Sequence, residues 1–124
     1  MGDALTITVR SERGAVIAAV TGEIDISTVA QLRERLFELA DNGGTLIIDL
    51  NQVTFIDSSG LGALVGTARR VAERGGSLHA ICAQEQPRRL LWTTGVDRRI
   101  PLAATVDEVL MSQAASGDGS GSAT

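Results

Sequence analysis

Residues 45–66 read TLIIDLNQVTFIDSSGLGALVG. TLIIDL (45–50) is a compact apolar segment with Ile47 and Ile48 at its centre, which predicts a strand. After NQVTFID the period changes. Leu61, Leu64, Val65, Ala68 and Ala72 recur at helical intervals, which predicts a helix beginning near Ser58 or Ser59, with those residues inward and ERGG (73–76) as its stop. An acid and two serines therefore sit where a strand becomes a helix.

The neighbouring segments repeat the pattern. Upstream, ALTITVR (4–10) alternates with period two and AVIAAVTG (15–22) is a second apolar run, with SERG between them as a hairpin turn. From Ser27, Val29, Leu32, Leu36 and Leu39 mark an amphipathic helix with Arg33, Glu34, Arg35 and Glu38 outward, capped by Asp25 or Ser27 and ended by DNGG (41–44). Downstream, SLHAICA (77–83) is another strand, and Pro87 suits the first turn of a helix through Arg88, Leu90, Leu91 and Trp92. GVDRRIPLAA (95–104) passes through a short extended piece. TVDEVLMSQA (105–114) is a last helix with Thr105 and Glu108 spaced as a capping box. The order β-β-α-β-α-β-α-β-α gives an α/β fold: one domain over residues 1–114, a mixed, mainly parallel sheet with an N-terminal hairpin, and about four helices. Residues 115–124 contain the Gly/Ser-rich run SGDGSGSAT and are expected to be a flexible tail.

Composition narrows the functional classes. The 124 residues suffice for one domain with its own core, and aromatics at 2% leave that core to Val, Ile, Leu and Ala. A net charge of −4 argues against a nucleic-acid partner, which would call for a basic face. The single cysteine, Cys82, cannot form an internal disulfide and lies in an apolar run, as a buried inert thiol would. The N-terminus MGDALTITVR resembles neither a signal nor a transit peptide, and no apolar run approaches the ~20 residues of a spanning helix. A cytoplasmic protein without a membrane partner is the expectation.

The segment 55–62 lies at the carboxyl end of a predicted strand, where α/β sheets carry their functional loops. A hydrolase serine would need the G-x-S-x-G elbow and a histidine base. Ile56 and Asp57 stand where Ser58 and Ser59 would need glycine, and the one histidine, His79, lies in an apolar strand, so no catalytic residue is assigned. A phosphate-binding P-loop needs a lysine, and all eleven basic residues are arginine. The glycines of GLGALVG (60–66) fall within the helix and are read as close-packing positions, so no cofactor is expected. Asp25, Asp49 and Asp57 with one remote histidine specify no metal. Ser58 capping the helix is the plain structural reading. Reversible phosphorylation is the functional one: a helix N-terminus can hold a phosphate, and its charge beside Asp57 and Asp25 would turn a docking face repulsive without altering the fold.

Three segments carry a family resemblance: VTGEIDISTVAQLRERL (20–36), LIIDLNQVTFIDSSGLGALVGTARR (46–70) and GGSLHAICAQEQPRRLLWTTGVDRRIPL (75–102). They resemble the STAS domain, and specifically the small stand-alone anti-sigma factor antagonists of bacteria. The resemblance runs over about residues 4 to 112. It implies that an anti-sigma factor acting as a serine kinase phosphorylates the first serine after the aspartate, here Ser58. It also implies that the unmodified antagonist binds that anti-sigma factor and frees the sigma factor, and that a phosphatase resets the cycle. The partner-binding residues implied are Glu23, Asp25, Asp57, Ser58, Ser59 and Leu61, with Gly60 and Gly62 permitting close approach, on a chain that is a monomer or weak dimer. Within the same family, a stand-alone regulatory subunit of a transporter and a nucleotide-sensing domain remain as alternatives. Trp92 stands where the family commonly has a smaller residue, and packing against the sheet is the expectation for it.

Overall fold

The computed structural model describes residues 5–113. Its elements are β1 (Thr6–Glu12), β2 (Ala15–Ile24), α1 (Val29–Ala40), β3 (Thr45–Ile56), α2 (Ser58–Glu73), β4 (Ser77–Ile81), α3 (Glu85–Thr93), a 3₁₀ turn (Val96–Arg98), β5 (Leu102–Ala103) and a last helix, α4, over 106–113. The strands lie in the order β1-β2-β3-β4-β5, with β1 antiparallel to β2 and every other pair parallel. The predicted order and the mixed sheet with its N-terminal hairpin are as the periodicity implied. The tail at 115–124 lies outside the described residues.

Strands added in one direction by right-handed crossovers put their connecting helices on a single face. That face holds the main core: Ala18, Val20, Leu46, Ile48, Leu50, Leu78 and Ala80 of the sheet meet Leu32, Leu36, Leu64 and Leu91 of the helices. The opposite face carries a smaller cluster, in which Ala15, Ile17, Ile47 and Ile81 are covered by Val109 and Leu110 of α4. α4 starts in half of the expected capping box: the Glu108 amide donates to Thr105 Oγ1 at 3.1 Å, but Glu108 Oε1 accepts from the Ala104 amide at 3.1 Å, one residue before the cap. Cys82 is buried as expected, and burial pushes its thiol pKa up. His79 is half-buried on the α4 side, 3.3 Å from the Gln113 amide group, and burial pushes its pKa down.

Four local expectations change. The hairpin turns in two residues, Arg13 (φ 51°) and Gly14 (φ 83°), because a turn left-handed at both positions matches the strand twist, and Ser11 and Glu12 stay in β1. β3 does not stop at Leu50 but runs on to Ile56, since β2 accompanies it to Ile24 through register shifts after Ala19 and Gly22. The inner row of α2 is Gly60, Leu61, Ala63, Leu64, Thr67 and Val71, while Ala72 is exposed and Val65 and Ala68 are only half-buried. Of that row, apolar spacing picks out only Leu61 and Leu64 and misses Gly60, Ala63, Thr67 and Val71. Thr67 tolerates burial because its hydroxyl donates to the Ala63 carbonyl at 2.7 Å. Trp92 does not pack on the sheet: Pro87 and Leu91 form the buried row of α3, and the next residue turns outward, leaving Trp92 72% exposed.

Candidate functional site

β3 delivers the chain to α2 at a point held from both sides. Ile56 pairs with Ile24, and the Asp57 amide donates to the Ile24 carbonyl at 3.1 Å. On the other edge, beyond the end of β4, the Gln86 side chain stands in for a strand. Its Oε1 accepts from the Ile56 amide and its Nε2 donates to the Ile56 carbonyl, both at 3.0 Å. Asn51 does similar work lower down, accepting from the Ala83 amide at 2.8 Å.

At the turn itself Asp57 is extended and caps α2. Its Oδ1 accepts from the Ser59 amide (2.9 Å), the Ser59 hydroxyl (2.5 Å) and the Gly60 amide (3.2 Å). Asp25 repeats the arrangement ahead of α1, accepting from the Ser27 amide (2.9 Å), the Ser27 hydroxyl (2.6 Å) and the Thr28 amide (3.2 Å). Each is an Asp-x-Ser turn whose intervening residue projects outward, but only Asp57 satisfies orphan helix donors. α1 is capped at Thr28 without a side-chain bond, not at Asp25 or Ser27 as its sequence suggested, because the Asp25 carboxylate is taken up by the turn before the helix. Those intervening residues are Ile26, 78% exposed, and Ser58, also exposed. Ser58 is therefore not the cap, and no side-chain hydrogen bond among the described residues engages its hydroxyl.

The hydrogen bonds explain the charge state. The Ser59 hydroxyl, with the Gly60 and Ser59 amides, holds the Asp57 carboxyl below its ordinary pKa, against desolvation and the nearby charge of Asp25. The Ser27 hydroxyl does the same for Asp25. Both carboxylates are ionised at neutral pH and close enough to sense each other.

The proposed binding residues separate into groups. Asp25, Asp57, Ser58 and Ser59 come together. Leu61 and Gly60 lie in the core: a Cβ on Gly60 would stand 2.6 Å from both Ile24 Cγ2 and Ile56 Cγ1, so α2 can close on the sheet only through that glycine. Gly66 meets Phe37 of α1 in the same way, whereas a Cβ on Gly62 would meet nothing within 4 Å. Glu23 is paired with Phe55, and since Ile24 and Ile56 point into the helix-covered core, Glu23 and Phe55 point to the other face. Sequence reading missed Gln86, whose partner is thirty residues away and leaves no local signal. It also missed Ile26, an apolar side chain between two polar turn residues, which could have been noticed.

A cleft of about 580 Å³ lies between α3 and β5, lined by residues that include Arg88, Arg89, Trp92 and Leu102, and a groove of about 430 Å³ runs beside α1 and Ile7. No group of three or more His, Cys, Asp or Glu among the described residues is placed to hold a metal ion. No helix among them is long and apolar enough to cross a membrane. The turn thus presents two hydrogen-bonded carboxylates, Asp25 and Asp57, beside the exposed hydroxyl of Ser58.

The sequence pattern of the STAS domain matches residues 6–109. The chain is 36% identical over 100 residues to the anti-sigma-B factor antagonist of Bacillus subtilis, covering 81% of this chain and 92% of that one. Its fold is similar to the crystal structure of an anti-sigma factor antagonist from Mycobacterium paratuberculosis, with a TM-score of 0.81 and 29% identity over 88% of this chain and 93% of the other. The Bacillus cell fate determinant SpoIIAA in its phosphorylated form shares the fold at a TM-score of 0.65 and 22% identity, over 85% of this chain and 96% of that one.

Proposed function

This chain belongs to the STAS domain family, and from that premise we propose that it is an anti-sigma factor antagonist switched by phosphorylation of Ser58. In this reading the unmodified face around Asp25, Asp57 and Ser58 binds an anti-sigma factor and thereby releases a sigma factor. The anti-sigma factor is itself the kinase. Ser58 Oγ bonds to the γ-phosphorus of ATP held by that partner, ADP leaves, and the hydroxyl proton passes to solvent or to a base of the kinase. A phosphatase hydrolyses the ester and restores the binding form. The chain catalyses none of these steps.

One observation carries the reading. Asp57 caps α2, so the Ser58 hydroxyl is exposed and has no structural duty. A phosphate there adds a charge of about −1.5 to −2 at neutral pH beside two carboxylates already ionised. The fold need not move, because no bond of Ser58 has to break. A partner that closes over this surface would have to bury three neighbouring anionic groups, and repulsion together with desolvation opposes that.

The test is incubation with ATP and each candidate anti-sigma kinase of the host, followed by mass spectrometry to locate phosphate, and binding measurements on two variants. Phosphate is expected on Ser58 alone. Ser58→Ala should bind as tightly as the parent, and Ser58→Asp should bind several-fold more weakly or worse. Ser58→Asp places an acid in the first turn of α2, which favours the helix, so its loss of binding would not reflect unfolding. Equal affinity of the two variants would refute the switch.

A further inference from the structure

The outward face of α2 is unusual for a surface helix. From Ser58, Gly62, Val65, Arg69 and Ala72 follow at i+4, i+7, i+11 and i+14, in one row opposite the buried row of Gly60, Leu64, Thr67 and Val71; all are exposed except Val65, which is half-buried against the core at the edge of the row. Exposed helix faces normally carry charge, as α1 does with Arg33, Glu34 and Glu38. The first eleven residues of α2, SSGLGALVGTA, carry none, and Arg69 is the first charged side chain.

The two ends of this face are of opposite sign. Beside Ser58 stand the carboxylates of Asp25 and Asp57. At the far end Arg69 and Arg99 line one hollow of about 340 Å³ together with Ala68 and Ala72. The ion pairs among the described residues engage Arg10, Arg35, Arg70, Arg74 and Arg89, and neither Arg69 nor Arg99 takes part. The acids nearest them in sequence, Glu73 and Asp97, take part in none of those pairs either.

Ser58 and Arg69 are eleven residues apart, about 16 Å along the helix axis. Turned end for end, the face is complementary to itself. The acidic end of one copy then meets Arg69 and Arg99 of the other, twice, about a two-fold axis crossing α2 between Gly62 and Val65. Gly62 lets the two helices approach closely. We propose that a second copy of this chain docks here, α2 antiparallel to α2, in an isologous pair. A contact made by one helix face falls well short of the roughly 800 Å² per partner of a standard interface, so the unmodified pair is weak and concentration-dependent. A phosphate on Ser58, which rests on the reading above, would lie opposite two guanidinium groups and tighten the pair. The modified chain would then cover with its own copy the surface that docks the anti-sigma factor.

Sedimentation velocity of the full chain tests this, on the unmodified protein and on protein with phosphoserine installed at position 58 during translation, so that no kinase is needed. Dimerisation of the unmodified chain is expected only toward about 1 mM, with the phosphorylated chain associating at least about tenfold more tightly and losing that gain as salt rises. The pair Arg69→Glu and Arg99→Glu should abolish the gain. Arg10→Glu with Arg13→Glu makes the same change in net charge on the β1 hairpin and should preserve it. A phosphorylated chain that stays monomeric throughout, or dimerises equally well with Arg69 and Arg99 reversed, would overturn the proposal. Affinity for the anti-sigma factor is read separately on the same proteins. If bare and phosphorylated chains bind it equally, the switch fails, while the dimer still stands or falls on sedimentation alone.

Discussion

Two glycines two residues apart on α2 should respond in opposite directions to the same substitution. In Gly60→Ala the new methyl would sit 2.6 Å from Ile24 Cγ2 and Ile56 Cγ1, and 3.0 Å from Ile56 Cδ1. Carbon atoms rest about 3.5–4.0 Å apart, so roughly 1 Å must open on that side of the helix. Neither isoleucine can retreat, since both are fully buried on paired strands and Ile56 is also held by Gln86. Overpacking of this kind costs about 1–3 kcal/mol. Alanine's helix propensity returns up to about 1 kcal/mol, leaving a net loss of about 1–2. In Gly62→Ala the methyl enters open space, and propensity alone should stabilise by about 0.5–1 kcal/mol. The two variants should therefore differ by about 1.5–3 kcal/mol, or roughly 6–12 °C in Tm for a domain of this size. Urea unfolding followed by circular dichroism, with unchanged slopes, gives the comparison directly. If Gly60→Ala were neutral, or Gly62→Ala equally damaging, α2 could not be seated on Ile24 and Ile56 as described.

Other outcomes follow from the same contacts. Asp25 and Asp57 both have folded pKa values below the ordinary carboxylate value, so their contribution is complete above about pH 4 and is lost as pH falls through the folded values. The urea midpoint should drop below about pH 4, and Asp57→Asn, which keeps the shape and removes the charge, should blunt that drop; an equally steep fall in the variant would contradict it. Leu91→Ala should cost about 2–5 kcal/mol, whereas Trp92→Ala, despite removing more atoms, should stay within about 0.5, because Leu91 is buried and Trp92 exposed. Thermal melts of the pair decide this. Gln86→Ala frees both backbone groups of Ile56 and should cost about 1–2 kcal/mol. Hydrogen exchange at the Ile56 amide should then accelerate at least about tenfold under conditions where the core strands remain protected; an unchanged rate would show that Gln86 holds nothing.

The order of elements, the hairpin and the caps of α4 were legible in the chain because their causes are local. Alternation in ALTITVR, the leucine spacing from Val29 to Leu39 and the Thr105–Glu108 pair each act within one element. So was the concentration of acid and hydroxyl at 57–59, which marked the site before any geometry. Which residue does which task there was not legible. Asp57 and Ser58 are both good caps by type. The Asp57 amide bound to Ile24 and the Ile56 backbone held by Gln86 set how the chain enters α2, and with it the choice of Asp57. The rotation of α2 was likewise decided by what it packs against: Gly60 fits between Ile24 and Ile56, Gly66 against Phe37, and the row left over becomes a surface. Glu23 went to the other face because a strand alternates, and the position of Ile24 in the core settled which way. Short-range periodicity reports the elements, since it is a property of neighbours along the chain. The identity of an exposed hydroxyl, a capping acid or an outward stripe depends on contacts between residues tens of positions apart, and only the assembled sheet and helices bring those together.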